Sequence, residues 1–310
     1  MKIRIGTRGS KLALWQANHV ADTLKKDGID SEIVTIQTKG DKILDISIAK
    51  IGSKGVFTEE IEDQLSKGTI DIAVHSAKDM QSSLPQGFEL IAFMEREKAV
   101  DVIVSINKSL NFSHESDLLL GTASTRRVAT LARFYPNVKT TSVRGNLQTR
   151  IRKMEEGACD ALLLAYAGVH RMGYEDMIIA ELPLEEFIPA VGQGSVAVEV
   201  HEQLGEAKKA AIRSALNHEQ TETCLLAERA FLKTMDGGCS IPVFAMATLD
   251  NNQIELEGGI VSMDGQERIV SKVSGHSTEH QKLGNQLAHE VLTSGGKKIL
   301  EEIKNQIDEN

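Results

Sequence analysis

Short apolar runs alternate with stretches whose apolar residues recur every three or four positions, and this alternation governs most of the chain. Lys2 to Thr7 predicts a strand, and Leu14, Ala17, Ala21 and Leu24 mark one face of a helix that Ser10 is placed to cap. Ser31 to Gln37 and Ile70 to Ser76 predict further strands, with a helix over Phe57 to Leu65 ahead of the second. Strand-then-helix order of this kind predicts a parallel sheet covered by helices. The pattern restarts at Val100 to Ser105 and runs through a helix at Thr125 to Tyr135, a strand at Val138 to Val143, a helix at Leu147 to Glu155 and a strand at Cys159 to Ala165. A second α/β domain is expected there.

Beyond the turn-rich segment Ile188-Pro189-Ala190-Val191-Gly192-Gln193-Gly194, the β-prone run Val196 to Val200 fits either sheet. Asn217, with Gln220 three residues on, predicts a capping box for a long helix ending at Gly237-Gly238. Three strand-like runs follow, Val243 to Leu249, Gln253 to Val261 and Arg268 to Val273, and then helical runs from His280 to Leu292 and Lys297 to Ile307. Strands followed by helices suggest a small α+β domain.

Composition narrows the function classes. The 310 residues are 41% apolar and 25% charged, enough for two or three domains with buried cores. A net charge of −9 disfavours nucleic acid and anionic membrane surfaces as partners. The amino terminus shows no charged-then-apolar leader and no run reaches the roughly 18 apolar residues of a membrane span, so a cytoplasmic chain is expected. Cys159, Cys224 and Cys239 are too widely spaced for a zinc motif and odd in number, so each thiol is judged alone.

Arginines cluster against this acidic background. Gly121-Thr122-Ala123-Ser124-Thr125-Arg126-Arg127 places two cations in the first turn of a helix, where they oppose its dipole by up to about 1 kcal/mol. A bound anion would remove the conflict, since free N–H groups and guanidinium forks all favour negative charge there. Ser142-Val143-Arg144-Gly145-Asn146 repeats the arrangement, with Arg150 one turn into its helix, and Gly6-Thr7-Arg8-Gly9-Ser10 is a third instance. Ligands of open α/β sheets bind beyond the carboxyl ends of strands, where all three turns would lie. In Asp71-Ile72-Ala73-Val74-His75-Ser76-Ala77-Lys78-Asp79, the carboxylate of Asp79 just past a strand suits a general acid and base or a stabiliser of positive charge, or else a loop salt bridge. His75 reads as a hydrogen-bonded core histidine. Cys159 and Cys224 read as packing thiols, whereas Asp236-Gly237-Gly238-Cys239-Ser240 predicts a turn that would expose its sulfur, as an attachment point or nucleophile requires, or else an incidental surface cysteine. Gly192-Gln193-Gly194-Ser195-Val196-Ala197 matches a dinucleotide fingerprint only as a string, because it leads into a strand. Thr38 to Gly55 reads as a mobile basic loop or lid with Lys50 and Lys54 facing the site, or else as an ordinary surface loop.

The strings TRGSKLALWQ, TKGDKILD, DIAVHSAKDM, GTASTRR, VRGNLQTR, PAVGQGSVAVE and DGGCS together resemble the porphobilinogen deaminase family along nearly the whole chain. That resemblance implies an α/β fold: two periplasmic-binding-protein-like α/β domains around a cleft plus a small α+β carboxyl-terminal domain. Domain 1 would be discontinuous, residues 1–98 and 195–215, followed by domain 2 at 99–194 and domain 3 at 216–310. It also implies a monomeric transferase that polymerises porphobilinogen into a linear tetrapyrrole on a dipyrromethane cofactor held by Cys239 through a thioether. Asp79 would be the catalytic carboxylate, and Arg8, Ser10, Lys78, Thr122, Ser124, Arg126, Arg127, Arg144, Gly145, Arg150 and Arg171 would bind acidic side chains of cofactor and substrate. Phe57 and Gln193 match further cleft positions, and Lys50 and Lys54 of the basic loop join the binding set. Ser53 and Ala123 depart from a usual glycine and serine. A two-lobed binding protein for a small dicarboxylate would explain the arginine turns equally well but not Cys239.

Overall fold

A computed structural model of the chain describes residues 2–38, 58–238 and 240–308. In chain order the first elements are β1 (Lys2–Arg8), α1 (Lys11–Lys26), β2 (Asp30–Ile36), α2 (Glu59–Ser66), β3 (Ile72–Ser76) and β4 (Phe88–Phe93). Next come β5 (Asp101–Val104), β6 (Leu119–Gly121), α3 (Thr125–Phe134), β7 (Lys139–Thr141), α4 (Leu147–Glu155), β8 (Ala161–Ala165), α5 (Tyr166–Arg171) and β9 (Ile178–Glu181). β10 (Val196–His201), α6 (Glu206–Leu216) and α7 (Glu219–Thr234) lead to β11 (Val243–Asp250), β12 (Gln253–Val261), β13 (Arg268–His276), α8 (His280–Val291) and α9 (Lys297–Asp308). They group into two compact units, Met1–Glu97 with Gly194–Thr223 and Lys98–Gln193 with Cys224–Asn310.

The sheet of the first unit has the order β2-β1-β3-β10-β4. β1 runs parallel to β2 and β3, while β10 is antiparallel to both β3 and β4. The second unit repeats this plan in β7-β6-β8-β5-β9, with β6 parallel to β7 and β8 and β5 antiparallel to β8 and β9. The purely parallel sheet expected from the alternation is therefore corrected to a mixed one. A strand that returns from a distant segment has no helical crossover to dictate its direction. The same unit contains the antiparallel sheet β11-β12-β13, on which α8 packs.

Local rules account for most elements. Ser10 accepts a hydrogen bond from the Ala13 amide and so starts α1, whose Ala17, Val20 and Leu24 are buried and whose last turn carries Lys25 and Lys26. Val196, Val198 and Val200 are fully or almost fully buried, as is Ala197 between them, so β10 is covered on both faces and shows no period. Each buried valine contributes about 2 kcal/mol. The capping box at Asn217 is a miss. Asn217 ends α6 instead, its Oδ1 accepting from the Phe93 amide at 2.9 Å and its Nδ2 donating to Glu222 at 2.8 Å. With that amide engaged, His218 Nδ1 accepts the first-turn Thr221 amide of α7.

A buried polar cluster joins α2, β3 and β10. His75 lies 3.0 Å from Glu199, as expected of a core histidine, and Glu62 sits within electrostatic reach of both. Burial, reinforced by Glu199, pushes the Glu62 carboxyl up, while Thr58 and His75 oppose the shift. A carboxyl raised in the folded state stabilises most below its unfolded value and loses that contribution as pH rises through its folded one. Glu62→Gln, neutral at every pH, should therefore melt above the parent at about pH 8 and converge with it towards about pH 4. Thermal melts across that range check this, and equal melting at the alkaline end contradicts it.

Candidate functional site

In the first unit the parallel pairing of β1 with β3 brings two turns to one edge of the sheet. β1 ends at Arg8, and Gly9 and Ser10 carry the chain into α1. Ser10 Oγ accepts from the Ala13 amide at 3.3 Å, which leaves its hydroxyl proton free to be donated elsewhere. β3 ends at Ser76, whose Oγ takes a 2.9 Å hydrogen bond from the buried Gln16 amide of α1. A single 3₁₀ turn, Ala77–Asp79, follows. Its backbone is tied by the Ala77 amide to the Ser195 carbonyl at 2.9 Å, and Met80 behind it is 4% exposed. Burying Met80 turns the neighbouring Asp79 out to solvent, with Lys78 half-buried beside it.

The second unit places its arginine turns by the same rule. β6 and β7 are parallel neighbours, so Gly121 and Thr141 end on one edge of the sheet, together with the end of β8. After β6 come Thr122, 3% exposed, and Ser124, which stands at the N-cap of α3 without making a cap hydrogen bond through its side chain. Instead the Ser124 amide donates to Thr122 Oγ1 at 3.3 Å. After β7, Arg144 precedes Gly145 at φ 114°, a backbone that favours glycine. A Cβ there would also sit 2.7 Å from the Thr149 methyl. Asn146 Oδ1 caps α4 at the Thr149 amide, 2.9 Å away. Arg150 Nε donates back to the Gly145 carbonyl at 2.8 Å, and Lys153 Nζ to that of Arg144 at 3.3 Å. Arg171 lies at the end of α5, the short helix that begins directly after β8.

Arg126 and Arg127 differ from the expectation of forks held open for a ligand. Both are 5% exposed, and both point to the fully buried Asp101 at the head of β5. Arg126 Nη2 donates to Asp101 Oδ2 at 2.6 Å and Nη1 to the Ile188 carbonyl at 3.0 Å. Arg127 donates twice to Asp101 Oδ1, at 2.6 and 3.2 Å, and once to the Leu163 carbonyl at 3.0 Å. Gln193 Nε2, also buried, donates to Asp101 Oδ1 at 3.0 Å and to the Ala99 carbonyl at 2.6 Å. The conflict of two cations with the α3 dipole is thus relieved in part from within the protein. Burial alone would raise Asp101, but Arg126 and Arg127 outweigh it and hold the carboxyl well below the usual carboxylate range. Burial pulls Arg126 down in turn. Asp101 is the residue that reading the sequence missed. An acid opening the apolar run Asp101-Val102-Ile103-Val104 was the available signal, because a carboxylate in a fully buried strand requires a cation.

Cys239, Lys50, Lys54 and Phe57 lie outside the described residues. On the near side of Cys239, α7 closes with Gly237 donating to the Leu232 carbonyl at 3.1 Å and Asp236 to that of Lys233 at 3.1 Å, and Asp236 takes the left-handed conformation at φ 47°. The other two thiols are buried, and burial pushes Cys159 up. Arg126 Nε is buried, with no hydrogen-bond partner among the described residues. In the second unit the Arg126 guanidinium, with one N–H unpartnered among the described residues, and the Thr122 and Ser124 hydroxyls at the start of α3 form a donor set suited to a carboxylate.

Two family models match the chain. One, described as "Porphobilinogen deaminase, dipyromethane cofactor binding domain", covers residues 3–209, and one described as "Porphobilinogen deaminase, C-terminal domain" covers residues 222–293. The chain is 54% identical over 307 residues to the porphobilinogen deaminase of Desulfosudis oleivorans, covering 99% of each. It is 56% identical over 302 residues to that of Cytophaga hutchinsonii, covering 97% of each. Among solved structures, the methionine-binding protein MetQ aligns with 69% of this chain and 89% of its own at 14% identity and a TM-score of 0.43. Among the described residues no helix is long and apolar enough to cross a membrane.

Proposed function

This chain belongs to the porphobilinogen deaminase family, and from that premise we propose how its own residues carry the family's reaction. The enzyme deaminates porphobilinogen and joins four units head to tail into the linear tetrapyrrole hydroxymethylbilane, a step of haem and other tetrapyrrole biosynthesis. Its cofactor is dipyrromethane, which when bound supplies the pyrrole carbon from which the chain is extended.

The observation that carries the residue assignment is the repeated strand-to-helix turn with an arginine and a hydroxyl or amide cap. Porphobilinogen brings two carboxylates per unit, and each charge-assisted hydrogen bond to one contributes about 1.5 to 3 kcal/mol. Arg8 and Ser10 with Lys78 in the first unit, and Thr122, Ser124, Arg126, Arg144, Arg150 and Arg171 in the second, supply those donors, while Arg127, its N–H groups turned to Asp101 and the Leu163 carbonyl, belongs to the set as the counter-ion of Asp101. Gly145 allows the turn that presents Arg144, and Gln193 braces Asp101 beneath the arginine pair. Lys50, Lys54 and Phe57 belong to the same binding set by their place in the sequence. Asp79 accepts hydrogen bonds from pyrrole N–H groups, holding positive charge as ammonia departs, and takes up the proton that restores the aromatic ring. Cys239 forms the thioether and keeps it through turnover.

The reading carries a division into 1–98 with 195–215, 99–194 and 216–310, which the three separate sheets support, and a cytoplasmic monomer. Intact mass tests it. Purified chain should exceed its sequence mass by about two porphobilinogen units, each less one ammonia, with the increment mapping to Cys239 by the balance of thioether formation. A preparation that turns over porphobilinogen at its sequence mass, with no adduct, would overturn the assignment.

A further inference from the structure

Asp101, Arg126 and Arg127 form a buried triad in which one carboxylate serves two guanidiniums. The division of donors within it is uneven. Arg127 spends three N–H bonds on Asp101 and the Leu163 carbonyl, whereas Arg126 makes one to Asp101 and one to the Ile188 carbonyl, and its Nε has no partner among the described residues. Among the described residues both guanidiniums share the single carboxylate of Asp101, so one positive charge is in surplus at the first turn of α3. Buried charge left without a counter-ion is unfavourable, and an Arg–carboxylate–Arg triad is retained only where geometry or function repays it. Here the surplus adjoins the N-terminus of a ten-residue helix whose N-cap serine makes no cap hydrogen bond through its side chain.

Asp101 is itself over-determined. Its Oδ1 takes Arg127 and Gln193, its Oδ2 takes Arg126, and its strand β5 is fully buried between β8 and β9. A carboxylate fixed this firmly fixes in turn the planes of both guanidiniums. We propose that Asp101 is a positioning residue for the carboxylate site at the start of α3: it locks Arg127 as its counter-ion and leaves the charge of Arg126 for an acidic side chain of the cofactor or substrate. This rests on the reading of the site given above and goes beyond it by making the arginine pair unequal and Asp101 its organiser.

The test uses the cofactor-bearing enzyme and reads adduct fraction by intact mass and KM for porphobilinogen separately from kcat. Asp101→Asn, nearly isosteric, should lower the fraction of chain carrying the adduct and raise KM by about tenfold, with kcat of the loaded fraction within about threefold of the parent. Coupling separates positioning from general loosening. Asp101→Asn combined with Arg126→Lys should be little worse than the poorer single variant, because both act on one group. Combined with Arg144→Lys, at a different turn, its effect should multiply. Multiplication in both pairs, or a folded Asp101→Asn with parental KM and adduct, overturns the proposal. If Arg126→Lys alone changes neither KM nor adduct, the assignment of Arg126 to the binding site fails instead. Should two unpaired buried cations unfold Asp101→Asn, the Asp101→Asn/Arg127→Met variant retains the single charge of Arg126 without its orienting partners. It should show the same rise in KM, and a parental KM there overturns the proposal.

Discussion

Asp79→Asn is expected to yield a folded chain that still carries the cofactor adduct while kcat falls by about 10² to 10⁴-fold, the range for loss of a positioned general acid–base group. The expectation that folding is spared comes from how the turn is held. Ala77 is tied to the Ser195 carbonyl, Met80 is buried, and Gln16 braces Ser76, all without the Asp79 carboxylate. Asp79 is exposed, and among the described residues no hydrogen bond or ion pair to its side chain is found, so the change in stability should stay within about 0.5 kcal/mol. Asparagine keeps the size and one acceptor oxygen but neither the charge that steadies a cationic pyrrole nor the capacity to take its proton. KM should change far less than kcat, because the substrate's carboxylates are held by the arginine turns. Single-turnover kinetics on protein of verified mass and circular dichroism make the measurement. Turnover within a few-fold of the parent would remove Asp79 from the catalytic role.

How much of this was legible in the sequence depends on how local the cause is. The turn at Asn146 and its helix Leu147–Glu155 were readable to the residue, because cap, apolar face and glycine turn all lie within a dozen positions. The same holds for Ser10 and α1. β10 was readable as a strand but not as a member of a particular sheet, since a strand buried on both faces has no period to say which neighbours it takes. α6 escaped notice because only Ile212 and Leu216 of it are buried, too sparse a stripe to stand out. Asn217 and His218 exchanged roles because the Asn217 side chain is claimed by Phe93 and Glu222, a tertiary matter. In the site, residue types and turns were legible, and the partner of the arginine pair was not. Asp101 lies 25 and 26 positions from Arg126 and Arg127, and only the placement of β5 beneath α3 brings them together. The general lesson is that an expected external anion must first be weighed against acids the fold can deliver to the same place.

Cys239→Ser is expected to abolish the covalent increment altogether and with it the tetrapyrrole product. A serine hydroxyl lacks the readily formed thiolate that makes cysteine the nucleophile of choice for a thioether. The remaining thiols cannot substitute. Cys159 is 6% exposed and Cys224 is 7% exposed, so both are shielded, and burial pushes Cys159 further from ionisation. The variant should also bear on the carboxylate site at α3. Without a tethered ligand the surplus charge of Arg126 has no counter-ion beyond its share of Asp101, so Cys239→Ser should melt below the loaded parent, and a soluble polycarboxylate should raise its melting temperature more than it raises the parent's. Intact mass, peptide mapping and melting curves with and without citrate read all three effects. An increment found on Cys159 or Cys224 would move the anchor to that residue, and a Cys239→Ser chain that retains both its adduct and its melting temperature would show that the Asp236-to-Ser240 turn is not where the cofactor is held.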